Sequence, residues 1–406
     1  MILSIVVPFY NEEAAIAGVL GRCCAAADAL AKGPHGFLEV EVIAVDDGSS
    51  DGSAALAGKV PGVRLVRHVD NRGYGAAIMS GFAAARGDWL AFLDGDGTCD
   101  PASFAALMSK AAADELDVVL GARLHGGSRM PGYRAFGNRL FGTLLGLFGA
   151  RGSFDVASGI RVLRRTAYER MVPLPEGMSF TPAMSARALL DPALRLGEVP
   201  VPYDERVGDS KLAPLRDGLR FARVILEAAL VYRPGRLFGW AAAGLFLLAA
   251  ALFVLRLGGP AAPLGHLLRE GRAEAWMHFR FILIAVCASS AAFLAALGLL
   301  AQVLVGVVHR DRGGELAGPG AAGALVRWLP LGGALSFAAG VLVNAPALAS
   351  YARTGQISGD YWTLPIVGGV LTGVGIQLVG FWAAARIAGL LRARERSRVK
   401  CYNPPE

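Results

Sequence analysis

Cysteine is scarce in this chain and shows no organisation. Cys23, Cys24, Cys99, Cys287 and Cys401 are the five cysteines, with no Cys-x-x-Cys spacing and no histidine partner nearby. This excludes a zinc site and a disulfide framework, and makes a reducing, cytosolic face the natural home. No Gly-x-Gly-x-x-Gly follows the first β-rich run and no Gly-x-x-x-x-Gly-Lys-Ser/Thr occurs at all, which disfavours a dinucleotide dehydrogenase and a P-loop NTPase. A secretory signal is not expected either: residues 2–7 run into Pro8-Phe9-Tyr10-Asn11-Glu12-Glu13 without a basic n-region or a small-residue cleavage site. Finally, the first half has no excess of charge. Up to Gly235 there are 25 Lys and Arg against 26 Asp and Glu, and beyond it 15 against 7, giving the overall +7. The basic excess sits in the apolar half, where it suits membrane loops and a tail better than a nucleic-acid surface, so no nucleic-acid partner is expected.

With 406 residues, 54% of them hydrophobic, and a mean hydropathy of +0.46, the chain is too long and too apolar for one ordinary soluble domain. Its soluble half is organised around Asp94-Gly95-Asp96-Gly97, which follows the buried-strand pattern Trp89-Leu90-Ala91-Phe92-Leu93. Two carboxylates at i and i+2, delivered at a strand's C-terminal end, can share one hard divalent ion and its phosphate oxygens. Alone, an acidic glycine turn is also a common solvated loop. An EF-hand fits poorly, because Cys99 would stand where the turn glycine belongs and Ala105 where the closing glutamate belongs.

Residues 2–7, 40–45, 63–68, 89–93 and 116–120 read as strands, each followed by turn or helix-start residues. The alternation predicts a mainly parallel, doubly wound α/β sheet. It also brings Glu12, Asp46, Asp94, Asp96 and Arg123 to one sheet edge, where such folds bind nucleotides. Asp47, Ser49 and Asp51 read as turn and cap residues. Without a glycine-rich phosphate loop, metal and cations must hold phosphates, and Arg123, Arg129, Arg134, Arg139, Arg161, Arg206 and Lys211 are the candidates. Arg164, Arg165 and Arg170, on a helix-like stretch, read as a solvated face.

Five motifs, in order, resemble the family-2 glycosyltransferases of the GT-A fold: Val7-Pro8-Phe9-Tyr10-Asn11-Glu12, Val45-Asp46-Asp47-Gly48-Ser49, Asp94-Gly95-Asp96, Asp155-Val156-Ala157-Ser158-Gly159-Ile160-Arg161 and Arg206-Val207-Gly208-Asp209-Ser210-Lys211. The chain looks most like the polyprenyl-phosphate glycosyltransferases, the group containing dolichol-phosphate mannose synthase. The resemblance implies that Pro8, Tyr10, Glu12, Ala44 and Asp46 surround the base and ribose of a nucleotide sugar. It implies that Asp94 and Asp96 hold Mg²⁺ or Mn²⁺ on the diphosphate, with Gly95 allowing close backbone approach, and that Arg206 and Lys211 grip the same diphosphate. Arg123 would face the acceptor phosphate, with Arg139 and Ser158 beside it. Thr98 departs from the glutamine many relatives carry two residues beyond the second aspartate, which puts metal geometry and sugar choice in question. The implied reaction is inverting transfer of a hexose to a polyprenyl (dolichyl or undecaprenyl) phosphate. The donor would be of the GDP-mannose or UDP-glucose type.

Other readings are a membrane glycosyltransferase with a saccharide or other lipid acceptor, and a non-catalytic nucleotide-sugar-binding scaffold for lipid transport. A processive polysaccharide synthase would carry Gln-x-x-Arg-Trp; the sole Arg-Trp pair, Arg327-Trp328, lacks that glutamine. The joint presence of Asp94, Asp96, Arg206 and Lys211 argues for catalysis.

Beyond a domain at 1–211 and an interfacial amphipathic helix at 212–236, residues 237–257, 279–308, 328–351 and 361–391 are each apolar and long enough to span a bilayer. Four spans in 237–391 and a basic tail at 392–406 put the catalytic domain and the C-terminus on one side of the cell membrane. The positive-inside rule makes that side cytoplasmic. Residues 131–150 suit both an interfacial element presenting Arg134 and Arg139 to a lipid phosphate and a helix packed on the sheet. The glycine-dense last spans read as anchorage or homo-oligomer contacts, and Asn344 and Gln377 as sites of interhelical hydrogen bonds.

Overall fold

The computed structural model describes residues 1–34, 36–123, 132–150, 154–204, 214–256, 262–270, 274–309, 321–355 and 363–402. The chain divides into two compact units, Met1–Tyr232 and Arg233–Glu406.

In the first unit, seven strands form one sheet: β1 (Ile2–Phe9), β2 (Glu39–Asp46), β3 (Val63–Arg67), β4 (Trp89–Leu93), β5 (Val118–Ala122), β6 (Ile160–Arg164) and β7 (Leu196–Pro200). Their spatial order is β3-β2-β1-β4-β6-β5-β7. The continuous apolar runs of β1 and β4 are buried because helices cover both faces of the sheet. On one face lie α1 (Ile16–Lys32) and α4 (Ser103–Ala113), with Ile16, Val19, Leu20 and Cys23 at helical spacing against the sheet. On the other lie α3 (Tyr74–Ala84) and α7 (Phe180–Leu190), where Phe82 and Phe180 flank Phe92 at ring-centroid distances of 6.3 and 6.2 Å. Each such aromatic contributes roughly 1.5–3 kcal/mol by burial. Pro8 lies beyond the last β1–β4 pair, Val6↔Phe92, where its missing N–H interrupts no bond to β4.

The expected parallel pairings hold for β1, β2, β3 and β4, and for β5 with β7. β6 is the departure. It runs antiparallel between β4 and β5, because the chain leaves and re-enters the sheet at the same edge: the Arg123 N–H donates to Asp155 Oδ2 at 3.0 Å. The arginines expected on a solvated helix face are instead engaged. Arg164 ends β6 with its guanidinium 4.6 Å from the Trp89 ring centroid, Arg165 donates to the Gly87 and Ala85 carbonyls, and Arg170 pairs with buried Asp191. Three further helices, α5 (Gly132–Leu147), α6 (Arg165–Met171) and α8 (Pro214–Tyr232), complete the unit with the short α2 (Ser53–Ala57). α8, expected as an interfacial amphipathic helix and linker, belongs to this unit, where Phe221 meets Phe141 of α5 at 5.7 Å.

The second unit is helical: α9 (Pro234–Val254), α10 (Pro263–Glu270), a 3₁₀ turn Ala275–Met277, α11 (His278–His309), α12 (Ala321–Thr354) and α13 (Thr363–Tyr402). Pro234–Val254, His278–Val305, Arg327–Thr354 and Thr363–Ile387 are long and apolar enough to cross a membrane. α12 and α13 approach through glycine. A Cβ on Gly340 would stand 2.6 Å from the Gly368 carbonyl oxygen and one on Gly333 2.9 Å from that of Gly375. Across this pair Ser336 Oγ donates to the Leu371 carbonyl at 2.7 Å; among the described residues the side-chain oxygens of Asn344 and Gln377 are buried without a partner, contrary to expectation. α13 continues to Tyr402, so the basic run after 391 is helical as far as that residue.

Candidate active site

β1, β2 and β4 end at one edge of the sheet, at the β1/β4 junction where the strand order reverses, and a cavity of about 510 Å³ opens there. Pro8, Tyr10 and Glu12 reach it from the end of β1, Asp94, Gly95, Asp96 and Thr98 from beyond β4, and Arg123 from beyond β5.

The two carboxylates are held differently. Asp94 Oδ1 accepts the Tyr74 hydroxyl at 2.6 Å, and its N–H donates to the Gly159 carbonyl at 3.1 Å. A Cβ on Gly159 would fall 1.9 Å from Asp94 Oδ2, so only glycine leaves room for this side chain. Burial, then the Asp94 charge, pushes the Tyr74 hydroxyl well above its usual range and keeps it a donor. Asp96 Oδ1 accepts from the Thr98 N–H at 3.1 Å and Oγ1 at 2.7 Å. Thr98 thus fixes the rotamer of Asp96. Gly95 is required for the close turn, since a Cβ there would meet the Pro8 carbonyl oxygen at 2.8 Å. Among the described residues no group of three or more His, Cys, Asp or Glu is placed to hold a metal. Asp94 and Asp96 are the two carboxylates that could hold an ion in this cavity, and carboxylate oxygens are donors that Mg²⁺ or Mn²⁺ accepts.

Arg123, which also lines the cavity, forms a two-pronged pair with Asp155: Nε to Oδ2 at 2.7 Å and Nη2 to Oδ1 at 2.8 Å, with Nη2 also on the Ala157 carbonyl at 2.7 Å. The Tyr203 ring lies 5.4 Å from the guanidinium. Desolvation opposes both charges, but the pair outweighs it. Arg123 is raised, and Asp155 is held below the usual carboxylate range with help from Asn138. The two Nη1 hydrogens are the donors that the described residues leave to a ligand.

The sequence model for "Glycosyl transferase family 2" matches residues 4–172. The chain is 33% identical over 263 residues to an undecaprenyl-phosphate 4-deoxy-4-formamido-L-arabinose transferase of Pseudomonas fluorescens, covering 63% of this chain and 74% of that protein. This chain belongs to glycosyl transferase family 2. It is also 32% identical to the low-salt glycan biosynthesis hexosyltransferase Agl6 of Haloferax volcanii, over 63% of this chain and 60% of that protein, less than two thirds of its length. A dodecaprenyl-phosphate galacturonate synthase of Rhizobium johnstonii is 32% identical over 63% of this chain and 75% of its own. A crystal structure of Mycobacterium tuberculosis glucosyl-3-phosphoglycerate synthase with Mn²⁺, UDP and phosphoglyceric acid matches with a TM-score of 0.43 and 21% identity, over 56% of this chain and 77% of that one.

The glycosyltransferase has the GT-A arrangement, and the expected site residues are only partly gathered by it. Ala44 is buried in the core of β2. Asp46 is fully buried, accepting from the Ser49 N–H at 2.9 Å and Arg67 Nε at 3.3 Å, so it shapes the turn instead of lining the cavity. Its neighbour Asp47 lines the wall, accepting from the Arg72 and Gly73 N–H groups and from His68 Nδ1 at 2.7 Å. Ser158 is fully buried and its hydroxyl lies 2.7 Å from the Gly121 carbonyl, so the acceptor-phosphate role expected for it has no surface to act from. Arg139 is exposed on α5 and does not line the cavity. Arg206 and Lys211 lie outside the described residues.

Several lining residues were not foreseen in this glycosyltransferase: Tyr74, Thr181, and Arg220 with Phe221 of α8. Arg220 carries a legible signal, one of three arginines at helical spacing before the apolar half, but its facing the cavity is a tertiary fact. Burial raises the Cys99 thiol to about 12, so no thiolate nucleophile is available beside the carboxylates.

Proposed function

We propose that the protein transfers a hexose from a nucleotide sugar to a polyprenyl phosphate, with inversion, at the cytoplasmic membrane face. The observation that carries this reading is that the Asp94/Asp96 pair and the Arg123 guanidinium line one cavity. The carboxylates suit a metal-bound diphosphate and the guanidinium an anionic acceptor. The names of the relatives, undecaprenyl- and dodecaprenyl-phosphate transferases, favour a lipid phosphate as that acceptor.

Asp94 and Asp96 would hold Mg²⁺ or Mn²⁺, which when bound supplies positive charge to the leaving diphosphate. Tyr74 and Thr98 keep the two carboxylates oriented for that task. Arg220, with Arg206 and Lys211 as the further expected cations, adds charge on the donor side. Arg123 orients the acceptor phosphate through its remaining Nη1 donors. A phosphate oxygen attacks C1 in line as the bond from C1 to the diphosphate oxygen breaks, and the leaving group takes the electron pair. The attacking oxygen is already anionic near neutral pH, so no general base is required.

The test supplies GDP- and UDP-sugars labelled in the sugar, with Mg²⁺ or Mn²⁺ and a short polyprenyl phosphate, to the purified full chain in detergent. An acid-labile labelled lipid is expected. Nucleotide release only when a saccharide acceptor is supplied would overturn the acceptor assignment.

A further inference from the structure

Between α10 and α11, His266, Glu274, Trp276 and Arg280 form a cluster that the transfer reaction does not use. Trp276 Nε1 donates to Glu274 Oε2 at 2.9 Å. His266 Nε2 lies 3.3 Å from Glu274 Oε1 without hydrogen-bond geometry, and its ring packs edge-on against Trp276 at 5.7 Å. The Arg280 guanidinium sits 6.0 Å from the Trp276 centroid. Arg280 is 8% exposed, and its Nη1 and Nη2 are both buried without a hydrogen-bond partner. Glu274 is turned to Trp276 and His266, and among the described residues no carboxylate pairs with Arg280.

A guanidinium stays charged wherever it is placed, and burying it unpaired is costly. An anion with several acceptor oxygens offsets that cost, and the planar fork of arginine matches phosphate. The setting indicates which phosphate. Arg280 is the third residue of α11, at the start of the apolar stretch His278–Val305, and Trp276 stands just before it. That is the depth at which tryptophan rings and lipid headgroups meet. α9 crosses once between Pro234 and this turn, so the cluster faces the opposite leaflet from Pro234.

We propose that Arg280, walled by Trp276 and His266, is a binding site for the phosphate of a lipid headgroup. The site rests on reading α9 and α11 as spans and is independent of the transfer chemistry. To test it, the purified full chain in neutral detergent is titrated calorimetrically with dihexanoyl phosphatidic acid and, separately, with inorganic phosphate. Arg280→Gln is expected to weaken phosphatidic acid binding roughly tenfold or more, as loss of charge-assisted hydrogen bonds does, with sugar transfer unchanged. Glu274→Gln, which removes a nearby negative charge, is expected to tighten it a few-fold, about the effect of one screened charge; misfolding does not mimic that gain. Unaltered affinity in Glu274→Gln, or in a folded Arg280→Gln, overturns the proposal. Inorganic phosphate binding as tightly as the lipid also overturns it, in favour of a free-anion site. Loss of sugar transfer in a wild-type chain that still binds phosphatidic acid through Arg280 would count against the transferase reading alone.

Discussion

The two units use glycine and buried charge in opposite settings. In the first, Gly95 and Gly159 remove side chains so that Asp94 and its loop can press against Pro8 and the start of β6, beside one polar cavity. In the second, Gly333 and Gly340 remove side chains so that two helices can touch, with no cavity between them required. Buried arginines are handled in three ways. Among the described residues, Arg123 is matched by Asp155, Arg161 is met by the Ser158 and Val156 carbonyls with its Nη1 unpartnered, and Arg280 in the second unit has both Nη1 and Nη2 unpartnered. In the first unit a carboxylate or backbone carbonyls answer the charge, whereas at a span's end the headgroup layer is at hand to do so.

The sharpest way to break the comparison is Asp96→Ala. Sugar transfer is expected to fall by roughly a thousandfold or more, with membrane insertion and helix content unchanged by circular dichroism; retained transfer sinks the two-carboxylate site. Asp155→Ala comes next, because it strands the largely buried Arg123. It should destabilise the first unit by about 3–5 kcal/mol and lower its thermal transition while the helical signal of the spans persists. Since the Asp155 carboxyl is held below its ordinary range, the stability it supplies is present at neutral pH. It is lost as pH falls through that lowered value.

Gly340→Ala is the mirror experiment. Its Cβ would meet Thr372 Oγ1 at 2.3 Å and the Gly368 carbonyl, so the α12–α13 pair should lose roughly 1–3 kcal/mol in detergent unfolding, with metal binding by the first unit untouched. A smaller change is expected from Tyr74→Phe, which removes one hydrogen bond from Asp94. Mn²⁺ affinity, read by electron paramagnetic resonance, should fall about five- to tenfold, or about 1 kcal/mol.

The smallest effect concerns Glu198, whose carboxyl is raised to about 7, chiefly by burial and further by Asp155, against the Asp155 N–H it accepts. Between the ordinary carboxylate range and about 7, the folded state keeps a proton that the unfolded chain has released, so stability falls as pH rises through that window. Glu198→Gln should therefore raise Tm by a few degrees at pH 8, the scale of about 1 kcal/mol, and leave it nearly unchanged at about pH 4, below the ordinary carboxylate range. A gain that does not depend on pH would contradict the assigned protonation.

What could be read without coordinates was whatever local pattern encodes. The run Trp89–Leu93 closed by Asp-Gly-Asp places a strand and its acidic turn by hydropathy and turn chemistry alone, and four apolar stretches announce helices by length. Tertiary structure alone decided the rest, because those facts depend on which distant groups share a space. The sequence pattern assigns Asp46 to the nucleotide edge and Asp47 to the turn, yet Asp46 is consumed by Ser49 and Arg67 while Asp47 lines the cavity. β6, Ile-Arg-Val-Leu-Arg, is not among the strands that the pattern predicts, and its antiparallel course beside the Arg123–Asp155 contact is visible only in the fold. Sequence spacing determined which residues could carry the chemistry; burial and the closing of long loops determined which of them face the cavity.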